Sequence, residues 1–166
     1  MERRIILMRH AKSSWKSDAP TDHSRPLNKR GKKDAPKIAR RLAELDWVPD
    51  LVVASDSERT RQTWARMEEA FTSKPQVAFT RRLYLAGIGE VKSELTLAPS
   101  DVRTLMLLGH NDGWEEVLTF LTGEDHRLPT AAAALLEASG ATWAEAWNVA
   151  PRWRIREILR PKELKT

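Results

Sequence analysis

The sequence predicts an α/β fold: a three-layer αβα sandwich whose mainly parallel central sheet has helices on both faces and one antiparallel edge strand. Three observations carry this. Short, unbroken apolar runs such as Ile5-Ile6-Leu7-Met8 and Thr104 to Leu108 have the pattern of strands buried on both faces. Segments with apolar residues at three- and four-residue spacing alternate with them, which argues for a parallel sheet wrapped by helices. Polar and charged residues of chemical interest follow directly on three of the runs, and open α/β sheets bind ligands beyond the carboxyl ends of their strands.

The elements follow in order. Ile5 to Met8 is the first strand, and a polar loop from Ala11 to Arg25 follows, with Pro20 and Pro26 as breakers. Ala35, Ile38, Ala39, Leu42 and Leu45 define an amphipathic helix over roughly residues 28–46, in which Pro36 either makes a kink or marks the true first turn. Leu51 to Ala54 is a second buried strand. Ser55 with Glu58 three residues later has the form of a capping box, opening a helix to about Phe71 with Trp64, Met67 and Phe71 on its buried face. Gln76 to Thr80 is a short third strand and Glu90 to Ala98 a helix. The most apolar strand, Thr104 to Leu108, leads into Gly109-His110-Asn111. Trp114 to Leu121 is a further helix with Gly123 just past its end. Ala132 to Leu136 and Trp153 to Leu159 complete the strands, and the alternation of the second places it at a sheet edge.

Composition narrows the functional classes. At 166 residues, with 41% hydrophobic and 31% charged residues, the chain is expected to be one globular domain over residues 1–166, with no sizeable cap inserted. No apolar run approaches the ~18 residues of a membrane span, and the N-terminal region lacks a secretory pattern, so a cytoplasmic location is expected. The absence of cysteine excludes disulfides, thiolate metal sites and thiolate nucleophiles. A formal charge of +5 favours acidic or phosphorylated partners without choosing among them.

Three candidate residues or pairs sit at strand ends. A neutral imidazole at His10 can attack phosphorus if its second nitrogen donates a hydrogen bond, and the neighbouring Arg9 offers planar donors to phosphoryl oxygens. Taken alone, the pair also fits a strand-end histidine beside a surface charge. Arg59 falls in the first turn of a helix, where free N–H groups and the dipole favour an anion. A solvated helix-end arginine is its simpler reading. Gly109 permits a tight turn exposing His110, which if protonated is a further cationic donor and otherwise a structural histidine. His23 and His126 read as surface or loop-bracing residues.

Taken together, Leu7-Met8-Arg9-His10-Ala11-Lys12, the segment Asp22 to Gly31, the block Ser55 to Thr63, Gly109-His110-Asn111 and Arg160-Pro161-Lys162 resemble the histidine phosphatase superfamily. Within it they resemble the small, SixA-like phosphohistidine phosphatases, with Ala11 where many relatives have glycine. The resemblance implies a phosphatase without metal or other cofactor, in which His10 is the nucleophile and Arg9, Arg59 and His110 form the phosphate pocket. Lys12 is a further candidate for substrate binding. Larger relatives supply a carboxylic acid that protonates the leaving group. Here Glu90 is the leading candidate, with Asp18 and Asp22 behind it, and each also fits an ordinary helix-start or loop carboxylate. A phosphohistidine substrate needs less acid assistance than a phosphate ester. The expected substrate is therefore a phosphorylated protein, such as a histidine-containing phosphotransfer protein, or else a small phosphorylated metabolite. Lys12, Lys16 and Arg25 are placed to steer an acidic partner. Nucleic acid and membrane are not expected partners, and a monomer is.

Other readings are weaker. Gly109-His110-Asn111-Asp112 superficially resembles a metal-ligand run but lacks the supporting Asp-x-His and paired-histidine spacings. No G-x-x-x-x-G-K-[ST] loop exists, and Gly87-Ile88-Gly89 lacks the third glycine of a dinucleotide site. Positive charge is dispersed without an aromatic-basic stacking motif, which argues against a nucleic-acid module. A phospho-binding domain with little turnover is the remaining non-enzymatic alternative.

Overall fold

The computed structural model describes residues 1–164. Six strands form one sheet in the order β3-β2-β4-β1-β5-β6, with β1 Glu2–Arg9, β2 Leu51–Ser55, β3 Gln76–Thr80, β4 Thr104–Gly109, β5 Ala133–Ser139 and β6 Arg154–Leu159. Strands β3, β2, β4 and β1 run parallel, each hydrogen-bonded to the next. β5 runs against β1, and the edge strand β6 pairs antiparallel with β5. The predicted antiparallel edge is therefore present, and β5 is the strand whose direction is reversed. Its length exceeds the expected Ala132 to Leu136 because Glu137 to Ser139 continue the ladder opposite Glu2 to Arg4.

The near-continuous apolar runs belong to the central strands, where both faces are covered. Along β1, Ile5 and Leu7 face one layer and Ile6 and Met8 the other. On the Ile6 side lie α1 (Lys29–Glu44) and α2 (Glu58–Met67), contributing Ile38, Leu42, Trp64 and Met67. On the Ile5 side lie α3 (Ile88–Thr96), α4 (Gly113–Thr122) and α5 (Trp143–Trp147), contributing Val91, Leu95, Trp114, Leu118 and Trp143. These two packed interfaces are the αβα sandwich. Each fully buried Leu or Ile contributes roughly 1.5–3 kcal/mol, more than the few tenths that separate ordinary residues in helix propensity.

Three local readings change. Pro36 lies inside α1, which begins seven residues earlier with Asn28 capping the Gly31 N–H at 2.9 Å. Tertiary packing of Ala35, Ile38, Ala39 and Leu42 outweighs the one missing backbone bond. The cap of α2 is Ser57, whose side chain accepts from the Thr60 N–H, and not Ser55, which is still the last residue of β2. Gly109 also has a different purpose. A Cβ there would lie 2.5 Å from the Trp114 ring, so glycine is needed for close packing at a strand end, and the following His110 is buried rather than displayed.

At the opposite end of the sheet, Arg3 of β1 is fully buried. Its guanidinium donates to four carbonyls, those of Gly140, Ser100, Val102 and Ala141. Nothing in the local pattern of the strand announces this clamp.

Candidate active site

The carboxyl ends of β1, β4 and β2 are neighbours in the sheet, and each delivers one part of a cluster. Arg9 sits opposite Gly109 in the β1–β4 register, and Leu108 sits opposite Ala54 in β4–β2. His10, His110 and Ser55 therefore emerge side by side although they are distant in sequence. A cavity of about 340 Å³ opens over them, lined among others by Arg9, His10, Lys12, Asp22, Arg59 and His110. A larger hollow of about 790 Å³ lies beside α4, but Asp112, Glu115, Glu116 and Asp125 line it, and four carboxylates repel phosphate.

His10 is held in one tautomer. Its Nδ1–H donates to the Ala11 carbonyl at 2.7 Å, which leaves the Nε2 lone pair to accept from Arg59 Nε at 3.3 Å. Ala11 is itself fixed, because its N–H donates to Thr63 Oγ1 at 3.0 Å and that hydroxyl donates to the Arg59 carbonyl at 2.7 Å. Burial lowers the His10 pKa to about 3, opposed by the Ala11 hydrogen bond and reinforced by the charges of Arg59, Arg9 and Arg25. The ring is thus neutral at neutral pH, and its unprotonated Nε2 accepts a long hydrogen bond from Arg59 Nε at the cavity.

His110 is a second buried imidazole, its ring centroid 5.1 Å from that of His10. Its Nε2–H donates to Ser55 Oγ at 2.8 Å, and Nδ1 accepts from Arg59 Nη2 at 3.4 Å. Burial, then His10 and Arg59, push its pKa down to about 2. Of the two states left open by the sequence, the free protein therefore holds the uncharged one: surrounded by two arginines and another imidazole, His110 is neutral. An incoming dianion would reverse that balance and favour proton uptake at Nδ1.

Arg59 ties the cluster together and is itself almost fully buried. Nη1 donates to the Asp22 carbonyl at 2.7 Å, and Nη2 donates to the Asp22 carboxylate at 3.1 Å. Asp22 also accepts from Arg25 Nε at 3.0 Å and from the Tyr84 hydroxyl. Against burial, which would raise it, these hydrogen bonds and the Arg59 charge bring the Asp22 pKa to about 2. Asp22 is thus a carboxylate that orients Arg59, not an acid with a proton to give. Arg9 reaches into the cavity with Nη1 on the Leu128 carbonyl at 3.0 Å and a buried Nε that has no partner among the described residues. That unsatisfied donor is what a phosphoryl oxygen would relieve.

Of the residues expected from sequence, Arg9, His10, Lys12, Arg59 and His110 meet at the cavity. Glu90 does not line it. Its Oε1 accepts the Gly87 N–H at 2.8 Å and so caps α3, which is the ordinary helix-start alternative. His23 braces the loop, with Nε2 bonded to Asp56 at 2.7 Å, as read from the sequence. Ser55, Thr63 and Tyr84 were missed as partners of the cluster. Ser55 and Thr63 stood in a quoted block, but which atom each would touch is a matter of strand order.

The buried neutral imidazoles have a measurable consequence. In the unfolded chain they return to the ordinary value of 6.5, so unfolding binds protons between that pH and the depressed folded values. Their contribution to stability is present above pH 6.5 and is lost as pH falls toward 3. Asp22 acts in the same direction lower down, from its ordinary 3.8 toward 2. The melting temperature is expected to drop between neutrality and about pH 4, and to drop less in His110→Gln. Equal pH dependence in the two proteins would show that His110 is not held neutral by folding.

A fold with three cationic or imidazole groups around a buried, neutral histidine defines a class, and comparison with known proteins agrees. The sequence profile of the histidine phosphatase superfamily (branch 1) matches residues 5–91, and the chain belongs to that superfamily. A chloroplastic protein of uncharacterised function from Arabidopsis thaliana is 37% identical over 97% of this chain and 79% of its own. An uncharacterised protein of Mycobacterium tuberculosis is 32% identical over 83% of this chain and 90% of its own. Among solved structures, one assigned as a phosphohistidine phosphatase SixA from Nakamurella multipartitia has a TM-score of 0.84 at 25% identity, covering 97% of both chains. Another with the same assignment, from Agrobacterium tumefaciens, has a TM-score of 0.79 at 31% identity over 96% of this chain and 98% of its own. Within the superfamily this protein is SixA-like, and it is a phosphatase.

Proposed function

We propose that the protein removes phosphate from phosphohistidine carried on another protein, through a phosphohistidine intermediate on its own His10. The observation that carries this reading is the unprotonated Nε2 of His10, directed at the cavity and fixed by the Nδ1–H bond to Ala11. In the first step the Nε2 lone pair forms a bond to phosphorus while the bond from phosphorus to the substrate imidazole breaks. The electron pair leaves with that imidazole, which takes a proton from solvent. In the second step water attacks phosphorus, the Nε2–phosphorus bond breaks and inorganic phosphate departs. Arg9 and Arg59 hold equatorial oxygens, and His110 adds a donor once the dianion has raised its proton affinity. These side chains supply the positive charge, so the proposal involves no metal or cofactor.

The leaving group decides between substrates. Asp22 is ionised and Glu90 is occupied at α3, so neither is suited to protonate an alkoxide. Imidazole leaves with far less help. This favours phosphohistidine over a phosphate ester of a metabolite. We place the reaction in the cytoplasm and on a monomer; no helix of the described residues is long and apolar enough to cross a membrane, and the chloroplastic relative makes an organelle the alternative. The test presents a histidine-phosphorylated carrier protein and a panel of phosphorylated metabolites, each in excess chelator. Faster release from the carrier is expected. Equal or faster turnover of the esters would overturn the reading, and stoichiometric binding without release would make the protein a phospho-binding module.

A further inference from the structure

We propose that an acidic surface of the phosphoprotein docks on Trp15 at the cavity mouth and on the cationic face of α1, an inference that rests on the phosphate arriving on a protein. Six of the seven tryptophans are buried, whereas Trp15 is 77% exposed and stands on the rim of the cavity that contains His10. It is not a loose side chain. The Arg25 guanidinium carbon lies 3.6 Å over its ring, and Arg25 is fixed in turn by Ser13 Oγ at 2.8 Å, the Ser14 carbonyl at 3.2 Å and Asp22 at 3.0 Å. Leu85, 59% exposed, stands on the same rim. A small phosphorylated molecule would sit on the arginine-rich floor and leave both apolar groups in water. A protein surface around the phosphorylated residue would cover them, and a preorganised indole is a typical centre of binding energy.

Charge identifies the partner's character. α1 carries Lys29, Arg30, Lys32, Lys33, Lys37, Arg40 and Arg41 against only Asp34 and Glu44. Asp34 is buried and already faces Arg30 and Lys37. Lys29, Lys33 and Lys37 recur every four residues on one helix face and, with Lys162, line a hollow of about 500 Å³. The strip starts at the N-terminus of α1, which abuts Lys12 of the cavity lining. The Asn28 N–H donates to the Lys12 carbonyl at 3.0 Å, and α1 packs so closely there that a Cβ on Gly31 would lie 2.1 Å from that oxygen. An acidic face would be steered along the strip, with its phosphorylated side chain delivered over His10. A nucleic acid would also meet cations, but Trp15 stands alone and offers no row of stacking platforms.

Kinetics with three probes test the proposal: a net-acidic and a net-basic histidine-phosphorylated carrier domain, and free phosphoramidate. Trp15→Ala is expected to raise KM for the acidic carrier about tenfold, while leaving its kcat and phosphoramidate turnover unchanged, and Trp15→Phe should recover most of the loss. Replacing Lys29, Lys33 and Lys37 together by Glu should raise the same KM steeply at low salt and weakly at high salt, and should favour the basic carrier. Turnover of the acidic carrier with KM unaltered in both variants would overturn the docking surface while leaving the proposed reaction intact. Turnover of phosphoramidate with neither carrier accepted would overturn the protein-substrate reading itself. Competition by an oligonucleotide that the triple variant abolishes, with Trp15→Ala silent, would reassign the strip to nucleic acid.

Discussion

His10→Ala is expected to lower phosphatase kcat/KM by on the order of 10³-fold or more, and to abolish an acid-labile, base-stable phospho-enzyme. Arg9, Arg59 and His110 remain, so the variant should still bind phosphate or a phosphate analogue. On the proposed mechanism, loss of the nucleophile removes a bond-forming partner, while loss of an equatorial donor only weakens charge stabilisation. The fold should survive, because His10 borders the cavity and its ring makes only two hydrogen bonds, to the Ala11 carbonyl and from Arg59 Nε. Rapid quench with a radiolabelled phosphoryl donor measures the intermediate directly. A persistent burst of label on His10→Ala would move the nucleophile to another residue, with His110 the nearest candidate.

Arg3→Met is expected to destabilise the protein by about 2–4 kcal/mol, because four partly buried carbonyls lose a charged donor at once. Methionine has a similar length and can fill much of the space, so the loss reports hydrogen bonding more than packing. Arg3→Lys should rescue little, since one ammonium cannot reproduce a planar fork reaching Ser100, Val102, Gly140 and Ala141. Arg3 lies at the far end of β1 from His10, and KM of the folded fraction should not change. Denaturant unfolding monitored by tryptophan fluorescence gives the difference. A loss below about 1 kcal/mol would mean that water replaces the guanidinium.

Much of the architecture was legible because burial on both faces of a central strand leaves a compositional trace. Ile5 to Met8, Leu51 to Ala54 and Leu105 to Leu108 are all apolar since each belongs to a central strand covered on both faces. Gln76 to Thr80 was also found, although it is a largely exposed strand at the edge of the sheet. Cap positions were less secure. Ser55 and Ser57 are both plausible partners for a helix start, and only the extent of β2 shows that the strand consumes the first of them. Pro36 misled in a similar way, as a helix held by a packed face tolerates one missing bond.

The sequence by itself determined the class of this protein and the chemical types at its centre. Arg9-His10, Arg59 and His110 each follow an apolar run, and strand ends gather at one edge of a parallel sheet by geometry alone. Tertiary structure decided the roles of the groups around them. Whether His110 is charged depends on burial between His10 and Arg59, which no local pattern encodes. Asp22 stays ionised because of distant partners, Arg59 and Tyr84, whereas Glu90 is engaged locally by the Gly87 N–H at the start of α3. The physical reason is common to these cases. Residue type supplies the donors and acceptors, but desolvation and long-range pairing fix their protonation and aim.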